Sequence, residues 1–143
     1  MKLAKSKFVL DASVALKMIL ITDEDAPLAL ALREEFKRQI HQLIAPDILP
    51  MEMAHVLTKA ERRGLIRKGQ GHTLLTDFLE PCPLLYPYGD FIERAIQLSS
   101  DFRIGVYDCL YVALGMEENC KVISADQKLL DLFPAHVVTL DSL

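Results

Sequence analysis

Four carboxylates carry the chemistry that this sequence could perform: Asp11, Glu52, Asp108 and Asp126. Asp11 ends the apolar run Phe8-Val9-Leu10, which is too short for a buried helix and suits an inner strand covered on both faces. A helix N-cap is the structural alternative for an aspartate there. Glu52 has Ile48, Leu49, His55 and Val56 three and four residues away, and such residues share a helix face. Ile48 and Val56 are expected on the buried stripe, where a charge costs several kcal/mol unless it is paired or metal-bound. An ion pair with Lys59, or with an arginine from elsewhere, is the structural alternative. Asp108 stands in the first turn of the apolar segment Tyr107-Asp108-Cys109-Leu110-Tyr111-Val112-Ala113-Leu114. Its interaction with the helix dipole is worth only about 0.3–1 kcal/mol. Asp126 follows Val122-Ile123-Ser124 at the start of a helix, where capping alone would account for it.

Together the four acquire another meaning. Asp11 and Asp126 come at or just after strand ends, while Glu52 and Asp108 occupy first turns of helices. In a parallel sheet the strand C-termini open on one edge, and ligands bind in the crevice beyond it. Two anions about 5 Å apart repel by roughly 3 kcal/mol at an effective dielectric of 20. A divalent cation among them removes that repulsion. An all-oxygen donor set without histidine or cysteine points to Mg²⁺ or Mn²⁺ rather than zinc.

The elements that must position these acids alternate. Strands are expected at 8–10, 42–45, 84–86, 121–124 and 136–140. Helices are expected at 11–20, 26–41, 47–63, 70–80, 90–101, 106–118 and 125–133. Thr22-Asp23-Glu24-Asp25 can cap the second helix, Pro27 and Pro50 fit first turns, and Gly64 stops the third. Alternating strands and helices predict a three-layer α/β/α sandwich around a central parallel sheet of four to five strands. No repeat, low-complexity tract or long linker divides residues 1–143, so a single domain is expected.

Composition narrows the function class. The chain is 51% hydrophobic and 25% charged, ordinary for a globular protein with a full core. No stretch approaches the roughly 20 apolar residues that span a bilayer. The basic start meets Asp11 too soon for a signal peptide. Cys82, Cys109 and Cys120 are odd in number and lack zinc spacing, as expected of reduced thiols in a cytoplasmic protein. A net charge of −4 does not announce a nucleic-acid binder. It does allow an acidic metal site offset by a local basic patch.

Four segments in order carry a family resemblance: Phe8-Val9-Leu10-Asp11-Ala12-Ser13, Ala45-Pro46-Asp47 with Glu52, Val106 to Leu114, and Val122-Ile123-Ser124-Ala125-Asp126. The chain resembles PIN domains, most nearly the VapC-type toxins of prokaryotic toxin–antitoxin pairs, from Lys7 to Leu140. The resemblance implies a Mg²⁺- or Mn²⁺-dependent endoribonuclease, usually a homodimer, often inhibited by an antitoxin peptide laid across the site. By position it makes Asp11, Glu52 and Asp108 the core metal-site acids, Asp126 a fourth and more variable one, and Ser13 the supporting hydroxyl. Cys109 and Gly115 stand where alanine is common.

An RNA substrate, single-stranded rather than duplex, would need cations near the acidic edge. Arg62, Arg63, Arg67 and Lys68 surround the Gly64 turn, and Arg33, Lys37 and Arg38 crowd the end of the second helix. Solvated helix ends explain both groups as well as RNA contact does. Tyr86, Tyr88 or Phe91 could stack on bases, although core packing explains them better. The apolar Leu74-Leu75…Phe78-Leu79 segment could serve a dimer or the core. Two other classes compete: a non-catalytic PIN-like scaffold binding RNA or protein, and a receiver-like phosphoacceptor. Asp11 stands alone at the first strand and the late strand end lacks a lysine, which counts against the receiver.

Overall fold

A computed structural model describes residues 6–20 and 26–143 of the chain. The elements follow the order β1 (Ser6–Leu10), α1 (Ala12–Lys17), α2 (Ala26–Lys37), β2 (His41–Pro46), α3 (Leu49–Arg62) and α4 (Gln70–Phe78). They continue with β3 (Leu84–Tyr86), α5 (Ile92–Phe102), α6 (Val106–Glu117), β4 (Lys121–Ile123), α7 (Gln127–Leu132) and β5 (Val137–Val138). The proposed cap at Thr22–Asp25 lies outside the described residues.

All five strands are parallel, in the order β3-β2-β1-β4-β5. From β1 the chain steps outward to β2 and β3, then returns past β1 to β4 and β5. Right-handed crossovers therefore place α1–α4 on one face and α5–α7 on the other. In agreement, α1 packs against α2 and α3, and α3 against α4, while α5 packs on α6 and α6 lies against β1, β2 and β4. The expected three-layer sandwich is the observed fold. Val9-Leu10, Ile44-Ala45 and Val122-Ile123 are buried in consecutive pairs, so both faces of the sheet are covered.

Several ends differ from expectation for identifiable reasons. Helix α1 stops at Lys17, and α2 ends before Gln39 takes a left-handed φ of 62° and turns the chain into β2. Helix α3 begins at Leu49 rather than Asp47. The Asp47 carboxylate instead accepts the Tyr88 N–H at 3.1 Å, and its own N–H donates to the Tyr86 carbonyl at 2.9 Å. Asp47 thus ties the end of β2 to the segment after β3. A Cβ on Gly115 would lie 2.9 Å from the Cys120 carbonyl oxygen and 3.1 Å from a Val122 methyl. The departure from alanine there lets α6 sit close on β4.

Order along the sheet reverses between β1 and β4. Crevices form at such switch points, outside the carboxyl ends of the strands. A receiver domain has the different strand order 2-1-3-4-5, so the topology removes the phosphoacceptor alternative.

Candidate active site

Asp11 follows β1 and Ser124 follows β4, so both stand at the switch point. The Asp11 N–H donates to the Ile123 carbonyl at 3.1 Å, extending the pairing of the two strands by one residue. Asp11 occupies the N-cap position of α1, but its side chain makes no capping bond. Its Oδ2 instead accepts the Ser13 hydroxyl at 2.5 Å and the Ser124 hydroxyl at 2.8 Å. Ser13 Oγ in turn accepts the Ala125 N–H at 3.0 Å, and Ser124 Oγ accepts the Asp126 N–H at 3.0 Å. Two serines therefore bolt the end of β1 to the loop after β4, with a carboxylate at their centre. Asp11 is only 5% exposed. Burial pushes its carboxyl above the ordinary range; the two hydroxyls and the Ala12 N–H pull it down, and nearby Asp126 pushes it up again.

Glu52 and Asp108 reach the same place from first turns of helices on opposite faces of the sheet. The buried stripe of α3 is Leu49, Met53, Leu57 and Ala60. Val56, expected on that stripe, is exposed, and Ile48 and Glu52 are half-buried. Glu52 therefore stands on the flank of the stripe rather than at its middle. Its partner is neither Lys59 nor an arginine: the Tyr111 hydroxyl donates to its Oε1 at 2.7 Å. Tyr111 belongs to α6 and is buried, so this bond joins the two helical layers across the sheet edge.

The carboxylates feel one another. Burial raises the Glu52 carboxyl, the Tyr111 hydroxyl lowers it, and the charges of Asp11 and Asp108 raise it further. Burial raises Asp108 as well, followed by Asp11 and Asp126, with Lys128 opposing them. Tyr111 is held far above the usual phenol range by burial and by Glu52, so its hydroxyl remains a donor. Burial, followed by Asp108, lifts the Cys109 thiol to about 11, which keeps it protonated beside the acids. Asp126 caps α7 by accepting the Lys128 N–H at 2.9 Å. The structural reading of Asp126 is thus correct, and its charge still reaches Asp11 and Asp108.

Sequence reasoning missed Ser124, Tyr111 and Lys128. The first two had signals. Asp11-Ala12-Ser13 and Ser124-Ala125-Asp126 are mirror images in sequence, and a phenol inside an apolar helix needs a hydrogen-bond partner when buried.

The expected donor set is all oxygen, and mutual repulsion among its members favours a cation over three bare anions. Among the described residues, no three acid, histidine or cysteine side chains are gathered tightly enough to grip one ion directly.

Beside the acids runs an apolar groove of about 840 Å³, with Glu52, His55 and Val56 on one wall and Ile92, Tyr107 and Leu110 among the others. Met51 and Tyr107 are 74% and 61% exposed at its rim. Of the aromatic candidates, Phe91 is buried and the Tyr86 hydroxyl donates to Glu118 at 2.8 Å, so only Tyr88 remains exposed. Phe78 is buried, and Leu74, Leu75 and Leu79 pack against the core, which accounts for that segment.

The fold and the site define a parallel α/β/α protein with a carboxylate cluster at its switch point. The family model of the PIN domain matches residues 8–132. The chain belongs to the PIN-domain family, within its VapC-type branch. It is 30% identical over 129 residues to Ribonuclease VapC3 of Pyrobaculum aerophilum, covering 84% of this chain and 98% of that relative. A solved structure from Pyrobaculum aerophilum shares the fold with a TM-score of 0.73 at 14% identity, over 97% of this chain and 94% of that one. VapBC2 from Rickettsia felis, bound to a DNA fragment from their promoter, shares it with a TM-score of 0.64 at 14% identity, over 93% and 98%.

Proposed function

We propose that the protein is a Mg²⁺- or Mn²⁺-dependent endoribonuclease and the toxin of a toxin–antitoxin pair. The observation that carries this reading is the approach of Asp11, Glu52 and Asp108 to one edge of the sheet, each carboxyl raised by burial and by the charge of a neighbouring acid. Similarity to Ribonuclease VapC3 supports RNA as the substrate. The likeness to VapBC2 supports an antitoxin partner. The apolar groove beside the acids supports inhibition by a segment laid across the site. Homodimerisation is proposed from family membership.

Asp11, Glu52, Asp108 and Asp126 would hold the ion, some of them through its water. When bound, the cation supplies a more acidic water and neutralises charge on the scissile phosphate. The chain's own groups set the stage for that chemistry. Ser13 and Ser124 occupy Oδ2 of Asp11 and fix the plane of its carboxylate. Tyr111 does the same for Oε1 of Glu52. Protonated Cys109 offers no competing thiolate.

The test is cleavage of a labelled single-stranded RNA by purified protein with and without EDTA. Chelation abolishes cleavage, and added Mn²⁺ or Mg²⁺ restores it. Cleavage indifferent to EDTA would sink the metal mechanism. A folded protein that leaves RNA intact under every metal condition favours the scaffold reading.

A further inference from the structure

We infer that Lys59, Arg62 and Arg63 on α3, continued by Arg67 and Lys68 in the following turn, form a phosphate track that leads an RNA strand to and from the acids. This rests on the ribonuclease reading and adds a binding surface to it.

Helix α3 starts at the acid edge, just beyond the C-terminus of β2, and descends along the sheet. At 3.6 residues per turn, positions seven and eleven after Glu52 return to within about 20° of its direction. Those positions are Lys59 and Arg63, with Arg62 about 80° further round the helix. The rise of roughly 1.5 Å per residue puts Arg63 about 16 Å below Glu52. All five cations are exposed, and among the described residues none is in an ion pair. In a chain of net charge −4, a row of five cations without carboxylate partners is a local exception.

The turn that carries the lower end is built to hold its shape. Gly64 and Gly69 take left-handed φ angles of 73° and 88°. The Glu61 side chain accepts the Gly69 N–H, and the Gln70 side chain accepts the Arg67 N–H at 2.9 Å. The only acid in this stretch is thus turned inward to close the loop. The helix dipole accounts for cations in the last turn of α3, but not for Arg67 and Lys68 beyond it. The other basic group is different. Arg33 donates to Asp77 through its carbonyl oxygen at 2.9 Å and its carboxylate at 3.3 Å, and lies over the Phe78 ring. Arg33 is a structural link between α2 and α4.

Phosphates approaching an acidic site are repelled unless cations stand beside it. Cations spaced down one side of α3 and continued into a fixed loop match a repeating polyanion better than an irregular acidic peptide does.

The experiment measures binding of a short labelled single-stranded RNA in the Asp11→Asn background, which keeps the strand intact, across a salt series. Each phosphate contact to a single strand contributes about −0.7 to the slope of log K against log salt. Lys59→Ala/Arg63→Ala is expected to flatten the slope by about 1.4, and Arg67→Ala/Lys68→Ala by a similar amount. Lys37→Ala/Arg38→Ala, on another helix end, leaves it unchanged. With Asp11 restored, the α3 double variant shows a several-fold rise in KM for RNA and an unaltered kcat. An unchanged slope in both track variants, while the parent binds RNA, overturns the track alone. Equal affinity for polyglutamate at the same salt also overturns it. A parent that neither binds nor cuts RNA overturns the ribonuclease reading and the track together.

Discussion

The two halves of the carboxylate site are built by opposite means. The half carried by β1 and β4 is buried and over-determined: Asp11 takes two serine hydroxyls, and each serine also accepts a backbone N–H from the loop after β4. The half carried by α3 and α6 is lightly held. Glu52 has one phenol partner, and among the described residues the Asp108 carboxylate accepts no hydrogen bond. Both of these acids are only half-buried. A sheet edge can hold a charge in place before any ligand arrives. Helix first turns bring charge close while leaving it room to adjust to an ion and its water.

This contrast can be broken experimentally. The largest effect is expected from Asp11→Asn, which keeps the shape and removes the charge at the rigid wall. Loss of several kcal/mol of transition-state stabilisation corresponds to about a thousandfold or more in cleavage rate. The check is a single-turnover RNA cleavage assay on protein with wild-type circular dichroism. Cleavage at the wild-type rate would remove Asp11 from the site.

A smaller loss is expected from Tyr111→Phe, which frees Glu52 without touching a proposed ligand. Groups that orient metal ligands are commonly worth 10–100-fold in metal affinity. The Mn²⁺ concentration for half-maximal activity should rise by about that factor, and so should the dissociation constant followed by Mn²⁺ electron paramagnetic resonance. Unaltered Mn²⁺ binding would mean that the phenol only fills space.

The smallest effect concerns stability without metal. Burial raises the carboxyls of Asp11, Glu52 and Asp108, so the folded chain holds these protons more tightly than the unfolded chain does. Their contribution is fully present below the ordinary carboxylate range of about 4, and is lost as pH rises through the raised values. In EDTA, denaturation midpoints should therefore decline on going from about pH 4 toward neutrality. Asp11→Asn should shallow the decline, and Mg²⁺ should oppose it. A midpoint that climbs steadily over that range would contradict the assignment of these three groups as buried and mutually repelling.

The same contrast explains what could be read from the sequence. Phe8-Val9-Leu10 and Val122-Ile123 announce covered strands because every residue is apolar, and each acid that follows is conspicuous against such a run. The strand order was not legible, because pairing depends on contacts far apart in the chain, and so the switch point was not either. In the sequence Glu52 stands out through Ile48 and Val56, yet Val56 faces solvent and the buried stripe runs through Leu49, Met53 and Leu57. The helical periodicity holds, with the buried stripe rotated by part of a turn from Ile48 and Val56. Tyr111 was hidden among apolar neighbours, where a phenol reads as bulk. The basic residues were visible, but only the fold separates Arg33, bound to Asp77, from Lys59 and Arg63, which face solvent.

The bond between Asp11 and Ser124 has a consequence for the timing of synthesis. Its two ends are 113 residues apart in the chain. A ribosome releases the N-terminal end first, so a growing chain that already displays Asp11 and Glu52 still lacks Asp108, Ser124 and Asp126. The hydroxyl that completes the Asp11 pocket arrives only with the end of β4. A half-made chain therefore carries acids but no assembled pocket, and the proposed site is completed only once β4 and the loop after it have been made.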